Sequence, residues 1–211
     1  MWTDAAVVVA GYLLGSIPFA YLVTRAVTGK DLRIEGEGNV GARNAMRTAG
    51  RVPGLLVFLL DGSKGAAAYW VGQRFGSGEL VLYLTGFAMM LGHGFPLWLR
   101  WRGGKGLAAA VGFLSQMWPY SVLAGLAVFL LAQALLPVFD GAVAAGAGTM
   151  FVLSFVEGNS LKGVLFIVFF LGMAGLKRLI DLPYERSTSA RSGWVEGPRG
   201  IHRKPDQNAR R

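Results

Sequence analysis

Residues 5–27 read AAVVVAGYLLGSIPFAYLVTRAV, with Arg25 as the only charge. A run of about 20 apolar residues is what a helix needs to cross the ~30 Å hydrocarbon core of a bilayer. No basic n-region or cleavage pattern precedes it, so it reads as a retained span rather than a leader. Working outward, six more apolar blocks follow at 52–72, 80–99, 107–117, 120–136, 141–156 and 163–180. The blocks at 107–117 and 141–156 fall short of the usual ~17–25 residues, which predicts tilted, broken or recessed helices there. Residues 141–148, GAVAAGAG, are small and suit close helix–helix packing in lipid.

Composition agrees. The chain has 211 residues, 53% hydrophobic and only 16% charged, with mean hydropathy +0.45. A soluble domain of this size would carry more charge on its surface. An open sheet leaves backbone groups unpaired in hydrocarbon, so helices are the default. The expected fold is therefore an all-α integral membrane protein with about seven transmembrane helices. If 107–117 and 120–136 do not cross, five remain.

Basic residues set the orientation. With the N-terminus outside and the blocks alternating, residues 25–51, residues 100–105 and the tail from Lys177 lie inside and hold 18 of the 21 Lys and Arg. Arg74 and Lys162 fall outside, and Lys64 lies within a block. This is the positive-inside pattern, with the C-terminus cytoplasmic. After Tyr184 the chain turns polar and basic. Residues 1–184 are read as one membrane domain and 185–211 as a disordered cytoplasmic tail that cannot bury enough apolar surface to fold.

Two glycine-rich basic loops share the predicted inner face. The first runs Gly36-Glu37-Gly38-Asn39-Val40-Gly41-Ala42-Arg43-Asn44, followed by Arg47. Glycine lets backbone N–H groups turn toward an anion, and successive free N–H groups form a phosphate-sized concavity. Gly36-x-Gly38-x-x-Gly41 matches a dinucleotide fingerprint on paper, but that motif needs a strand before it, and here apolar spans flank it. The second loop is Arg102-Gly103-Gly104-Lys105-Gly106. No Ser or Thr follows Lys105 to hold Mg²⁺, so it is not a P-loop, although its N–H groups and Lys105 suit phosphate.

Asp61 and Lys64 lie within a span at i, i+3, on one helical face. Such charges are costly in lipid and are paired or functional. The self-neutralising pair is the plainer reading. His93 sits near the inner end of its block, where packing is the commoner role for a lone His and titration the functional one. Ser16, beside Pro18, is placed to hydrogen-bond where the proline interrupts the helix. Two distant His and no Cys make no zinc site. No metal, cofactor, nucleic acid or obligatory protein partner is indicated.

Gly11-Tyr-Leu-Leu-Gly-Ser-Ile-Pro18, the loop 36–44, Asp61-x-x-Lys64-Gly65, Leu91-Gly-His93-x-x-Pro96 and Arg102-Gly-Gly-Lys-Gly106 occur in that order. Together they closely resemble the bacterial PlsY-type acyltransferases. The resemblance implies a seven-span protein of the cytoplasmic membrane whose active site faces the cytoplasm. It implies acyl transfer from acyl phosphate to the 1-hydroxyl of glycerol 3-phosphate, giving lysophosphatidic acid, the first step of phospholipid synthesis. Its partners would be those two substrates and membrane lipid. By resemblance Lys105, Arg47 and Asn44 are the catalytic residues. Gly36, Gly38, Asn39, Gly41, Ala42, Gly103, Gly104, Gly106, Asp61, Lys64 and His93 line the substrates.

Departures mark this chain. The family loop reads G-S-G-N-x-G-A-T-N, with Glu37 and Arg43 here at the Ser and Thr positions. Glu37 would repel phosphate unless paired, and Arg43 is the expected partner. A family pattern R-H-x-x-N-I-x-R-L falls on residues 171–179, with Gly172 and Gly175 replacing His and Asn. A Ser-Ser pair falls on Asp140-Gly141. An acceptor-altered or non-catalytic paralogue that binds acyl phosphate or anionic lipid is one alternative. An organic-phosphate transporter, with Asp61, Lys64 and Lys105 along a path, is the other.

Overall fold

The computed structural model describes residues 2–135, 138–158, 160–197 and 200–203. Among these the chain is helical apart from one short hairpin. In order the helices are α1 (Trp2–Ser16), α2 (Phe19–Thr28), α3 (Ala42–Ala49), α4 (Arg51–Phe75), α5 (Glu79–Gly94), α6 (Leu107–Leu114), α7 (Pro119–Leu135), α8 (Phe139–Ser154) and α9 (Leu161–Arg191). A 3-10 turn at Leu97–Leu99 follows α5. Strands β1 (Trp194–Gly197) and β2 (Gly200–Arg203) pair antiparallel after α9.

Three stretches are long and apolar enough to cross a membrane: Thr3–Thr28, Glu79–Leu99 and Leu161–Arg191. α7 and α8 are apolar but shorter, and α4 has the length but carries Asp61 and Lys64. Large apolar side chains such as Leu59, Trp70, Leu130, Phe169 and Leu179 are exposed. That much exposed apolar surface suits hydrocarbon and not water.

The first block is not one helix. Pro18 has no N–H to continue the ladder, so α1 ends at Ser16 and α2 begins at Phe19. Ser16 hydrogen-bonds at the break as expected: its hydroxyl donates to the Leu13 carbonyl (2.8 Å) and accepts from Trp98 Nε1 (3.0 Å). The packing uses small residues. A side chain at Gly65 would lie 2.0 Å from the Ala109 carbonyl, and one at Gly112 lies 1.8 Å from the Gly62 carbonyl, so α4 and α6 touch backbone to backbone. Phe113, Phe166 and Phe170 fill the centre, with ring centroids 4.9–5.9 Å apart.

Two expectations need correction. The loop expected at 36–44 ends at Gly41, and α3 begins at Ala42; the helix's apolar stripe of Ala42, Ala45, Met46 and Ala49 is too small and short to form an apolar block. The expected tail does not begin at 185, since α9 passes through Pro183 and runs on to Arg191. Its hydropathy falls there because Glu185, Thr188 and Ser189 are buried against polar loops rather than lipid. Residues 204–211 lie outside the described residues.

Candidate active site

The first glycine loop is built around Asn44. Its side-chain N–H₂ points to the carbonyls of Glu35 (2.9 Å), Asn39 (3.0 Å) and Leu32 (3.3 Å), and its Oδ1 accepts from the Glu37 N–H (3.4 Å). Asn44 is fully buried. It therefore shapes the loop. Gly36 (φ +58) passes so close that a side chain there would lie 2.1 Å from Asn44 Oδ1. Upstream, the Arg33 guanidinium hydrogen-bonds Asp31 and holds that carboxyl below its ordinary range. Gly41 caps α3 without a side chain, leaving the first N–H groups of the helix open. Ala42 opens the helix, and Asn39 Oδ1 is buried without a hydrogen-bond partner.

The second loop is pinned to the end of α5. Gly103 N–H donates to the Gly94 carbonyl and Gly104 N–H to the His93 carbonyl, each at 3.1 Å. A side chain at Gly104 would sit 2.4 Å from the Val40 carbonyl and 2.5 Å from His93 Nε2. The N–H groups of Gly103 and Gly104, expected to be open to an anion, are thus committed to carbonyls because the loop folds back on the end of α5, and the two glycine loops meet with no room for a methyl between them. α6 starts directly after Gly106, again with no side-chain cap. α9 fastens both loops. Tyr184 Oη donates to the Arg33 carbonyl (2.7 Å) and accepts from Arg102 (3.2 Å), while Ser192 Oγ donates to the Gly36 carbonyl (2.9 Å).

Charges line this junction. Arg47 pairs with Glu37 at 3.1 Å, and Lys105 with Glu185 at 2.8 Å. Arg178 reaches both Asp140 (2.6 Å) and Glu185 (3.8 Å). The expected Arg43–Glu37 pair is not formed. Arg43 is the second residue of α3, whereas Arg47 lies one turn on, where its guanidinium reaches back to Glu37. Arg43 instead lies over the Phe139 ring at 3.9 Å. Burial, with the neighbouring Arg47 charge, pulls Arg43 below the ordinary arginine value.

The sequence reading missed Glu185 and Tyr184. One signal was available: Lys177, Asp181 and Glu185 recur at i, i+4, i+8, a polar stripe that continues α9 past Pro183. Gly172 and Gly175 have no heavy atom within 4 Å of where a side chain would begin, so no neighbour fills the places expected for His and Asn.

Asp61, Lys64 and His93 form a separate buried cluster. Lys64 Nζ lies 2.9 Å from Asp61 and donates to the Ile17 carbonyl at 2.8 Å, the carbonyl before Pro18. His93 Nδ1 stands 3.9 Å from Asp61. They border a cavity of about 10 Å³, room for about one water and not for a solute path. The cluster lies behind the second loop, with Val40 and Gly103 lining the same cavity.

Asn44→Ala takes the side-chain donor from the Leu32 and Asn39 carbonyls, each worth about 1–3 kcal/mol when buried, while Glu35 keeps the Gly38 N–H. Hydrogen exchange at residues 36–41 is expected to rise about tenfold or more as the loop opens. Unchanged protection there would remove Asn44 as the organiser.

Residues 5–181 match the family model described as glycerol-3-phosphate acyltransferase. A glycerol-3-phosphate acyltransferase of Parasynechococcus marenigrum (strain WH8102) is 40% identical over 163 residues, 75% of each chain. One from Synechococcus sp. (strain CC9902) is 47% identical over 121 residues, 57% of this chain and 60% of the relative's length. The crystal structure of PlsY, an integral membrane glycerol 3-phosphate acyltransferase in its glycerol 3-phosphate form, superposes with TM-score 0.77 and 29% identity over 98% of both chains. The same PlsY in a lysophosphatidic acid form gives TM-score 0.74.

Proposed function

This chain belongs to the glycerol-3-phosphate acyltransferase family, and on that premise we propose that it transfers an acyl group from acyl phosphate to the 1-hydroxyl of glycerol 3-phosphate, yielding lysophosphatidic acid. The observation that carries the proposal is the contact of the two glycine loops, Gly104 against Val40, with the uncapped start of α3 and the cations Arg47 and Lys105 at the junction. The start of α3 suits a donor phosphate and the two cations suit an acceptor phosphate.

An acyl phosphate is already activated, so no covalent nucleophile is required. The work is positioning and charge stabilisation. Backbone N–H groups at the start of α3 hold the donor phosphate, in a loop whose shape Asn44 sets. Arg47 and Lys105 hold the phosphate of glycerol 3-phosphate and bring its hydroxyl to the acyl carbon. The new C–O ester bond forms as the acyl–phosphate C–O bond breaks, and the departing phosphate takes the hydroxyl proton. Asp61, Lys64 and His93 act one layer back, through the backbone they hold. The acyl chain lies between helices in contact with lipid.

We also propose seven crossings of the bacterial cytoplasmic membrane, with the site on the cytoplasmic face. α1 and α2 make the first pass together. α6 is short because the loop at 100–106 enters the bundle ahead of it; α6 then runs beside α4, with Ala109 against Gly65, and just past its end Gln116 accepts from Trp70.

The test is formation of lysophosphatidic acid from labelled glycerol 3-phosphate and palmitoyl phosphate by the purified chain. Lys105→Ala is expected to lower turnover about a hundredfold or more, as loss of a charge-stabilising donor does. No product from the unmodified chain, with donor binding intact, would sink the proposal. Arg47→Ala should raise KM for glycerol 3-phosphate more than for the donor; equal rises would overturn its assignment to the acceptor.

A further inference from the structure

α9 does not stop where the family match stops, at residue 181. Its next turns lie against the first glycine loop. Tyr184 Oη donates to the Arg33 carbonyl (2.7 Å) and accepts from the Arg102 guanidinium (3.2 Å), whose central carbon stands 4.7 Å from the middle of the Tyr184 ring. One hydroxyl therefore joins Arg33, just before the first loop, to Arg102, at the start of the second. The ring takes part too. A side chain at Gly38 would lie 2.8 Å from the Arg33 carbonyl, 3.0 Å from Tyr184 Cε1 and 3.1 Å from Thr188 Cγ2. About two turns on, Ser192 Oγ donates to the Gly36 carbonyl.

Gly36 and Gly38 stand at φ +58 and +74. Glycine enters that region readily and leaves it as readily, so the shape of the loop must be imposed by its neighbours. Asn44 imposes it from the inside, and Tyr184 with Ser192 from the outside. A loop fixed beforehand in its binding form gains affinity without any new contact to the ligand. We propose that Tyr184 is a positioning residue for the donor: its hydroxyl, held between Arg102 and Arg33, keeps residues 36–41 in the form that receives the acyl phosphate. The acceptor cations take their partners elsewhere, Arg47 from Glu37 and Lys105 from Glu185. The inference rests on the first loop being the donor side of the proposed site.

The experiment is steady-state kinetics of the full chain in lipid nanodiscs. Tyr184→Phe keeps the ring and removes only the hydroxyl. Its KM for palmitoyl phosphate is expected to rise about fivefold, the size of one hydrogen bond, and its KM for glycerol 3-phosphate by less than about twofold. Arg102→Ala should raise the donor KM as well. Because it acts through the same hydroxyl, it should add less in the Tyr184→Phe background than alone. A purely structural role would lower the melting temperature and the amount of active protein and leave both KM values in place. Should one variant fail to fold, the other decides. An unchanged donor KM in a folded variant, equal rises of both KM values, or full additivity of the two changes overturns the inference. Equilibrium binding of a non-hydrolysable palmitoyl phosphonate, without acceptor, separates it from turnover. A roughly fivefold loss of phosphonate affinity in Tyr184→Phe supports the positioning role even if the unmodified chain makes no lysophosphatidic acid. No such loss, or no phosphonate binding by the unmodified chain, overturns it.

Discussion

Lys64→Ala is expected to destabilise the folded chain by about 3–5 kcal/mol, the usual consequence of stranding one member of a buried ion pair. Asp61 is 2% exposed and would lose the cation 2.9 Å away. The Ile17 carbonyl would also lose the stronger of its two donors and keep only the Phe19 N–H at 3.1 Å. Against a total stability of about 5–15 kcal/mol, that is enough to deplete folded protein in the membrane. Asp61→Ala should behave alike, while Asp61→Ala with Lys64→Ala should recover part of the loss, since no lone charge remains. Thermal unfolding in detergent measures this directly. A single variant that melts within about 2 °C of the unmodified chain would show that the pair contributes little.

Gly104→Ala is expected to lower kcat/KM by about a hundredfold or more, because a displacement of ~1 Å at reacting groups costs on that order. The added methyl would stand 2.4 Å from the Val40 carbonyl and 2.5 Å from His93 Nε2, so the two loops must part. Gly62→Ala is the matched control. Its nearest heavy atom is the Ala108 carbonyl at 3.7 Å, an ordinary contact, so it adds a methyl to the bundle without separating the loops. Turnover of Gly104→Ala within about tenfold of normal would mean that the loops need not touch for transfer.

Much of this was readable from the sequence, and the physical reasons are specific. Apolar runs report burial in lipid, so six of the helical blocks lie close to α4–α9 as found. Glycine positions report where backbones approach, so both loops stood out. Asp61 and Lys64 are three residues apart, and a helix makes that a contact. The remainder depends on distance in space. Lys105 meets Glu185 and Tyr184 meets Arg33, pairings between residues about 80 and 151 positions apart that no local pattern records. Glu37 had two arginines within reach in sequence, and the turn of α3 decided for Arg47. Pro183 reads as a helix stop, yet α9 continues because polar partners on both loops receive its next turns.

The break at Pro18 also bears on biogenesis. At the break between α1 and α2 the Ile17 carbonyl accepts from the local Phe19 N–H, and its second donor comes from Lys64, 47 residues further on in α4. Lys64 already has Asp61 beside it on its own helix, which lowers the cost of carrying that charge into the bilayer. The bond to Ile17 forms only when α4 docks against the break, so an early step of assembly favours the meeting of the right segments.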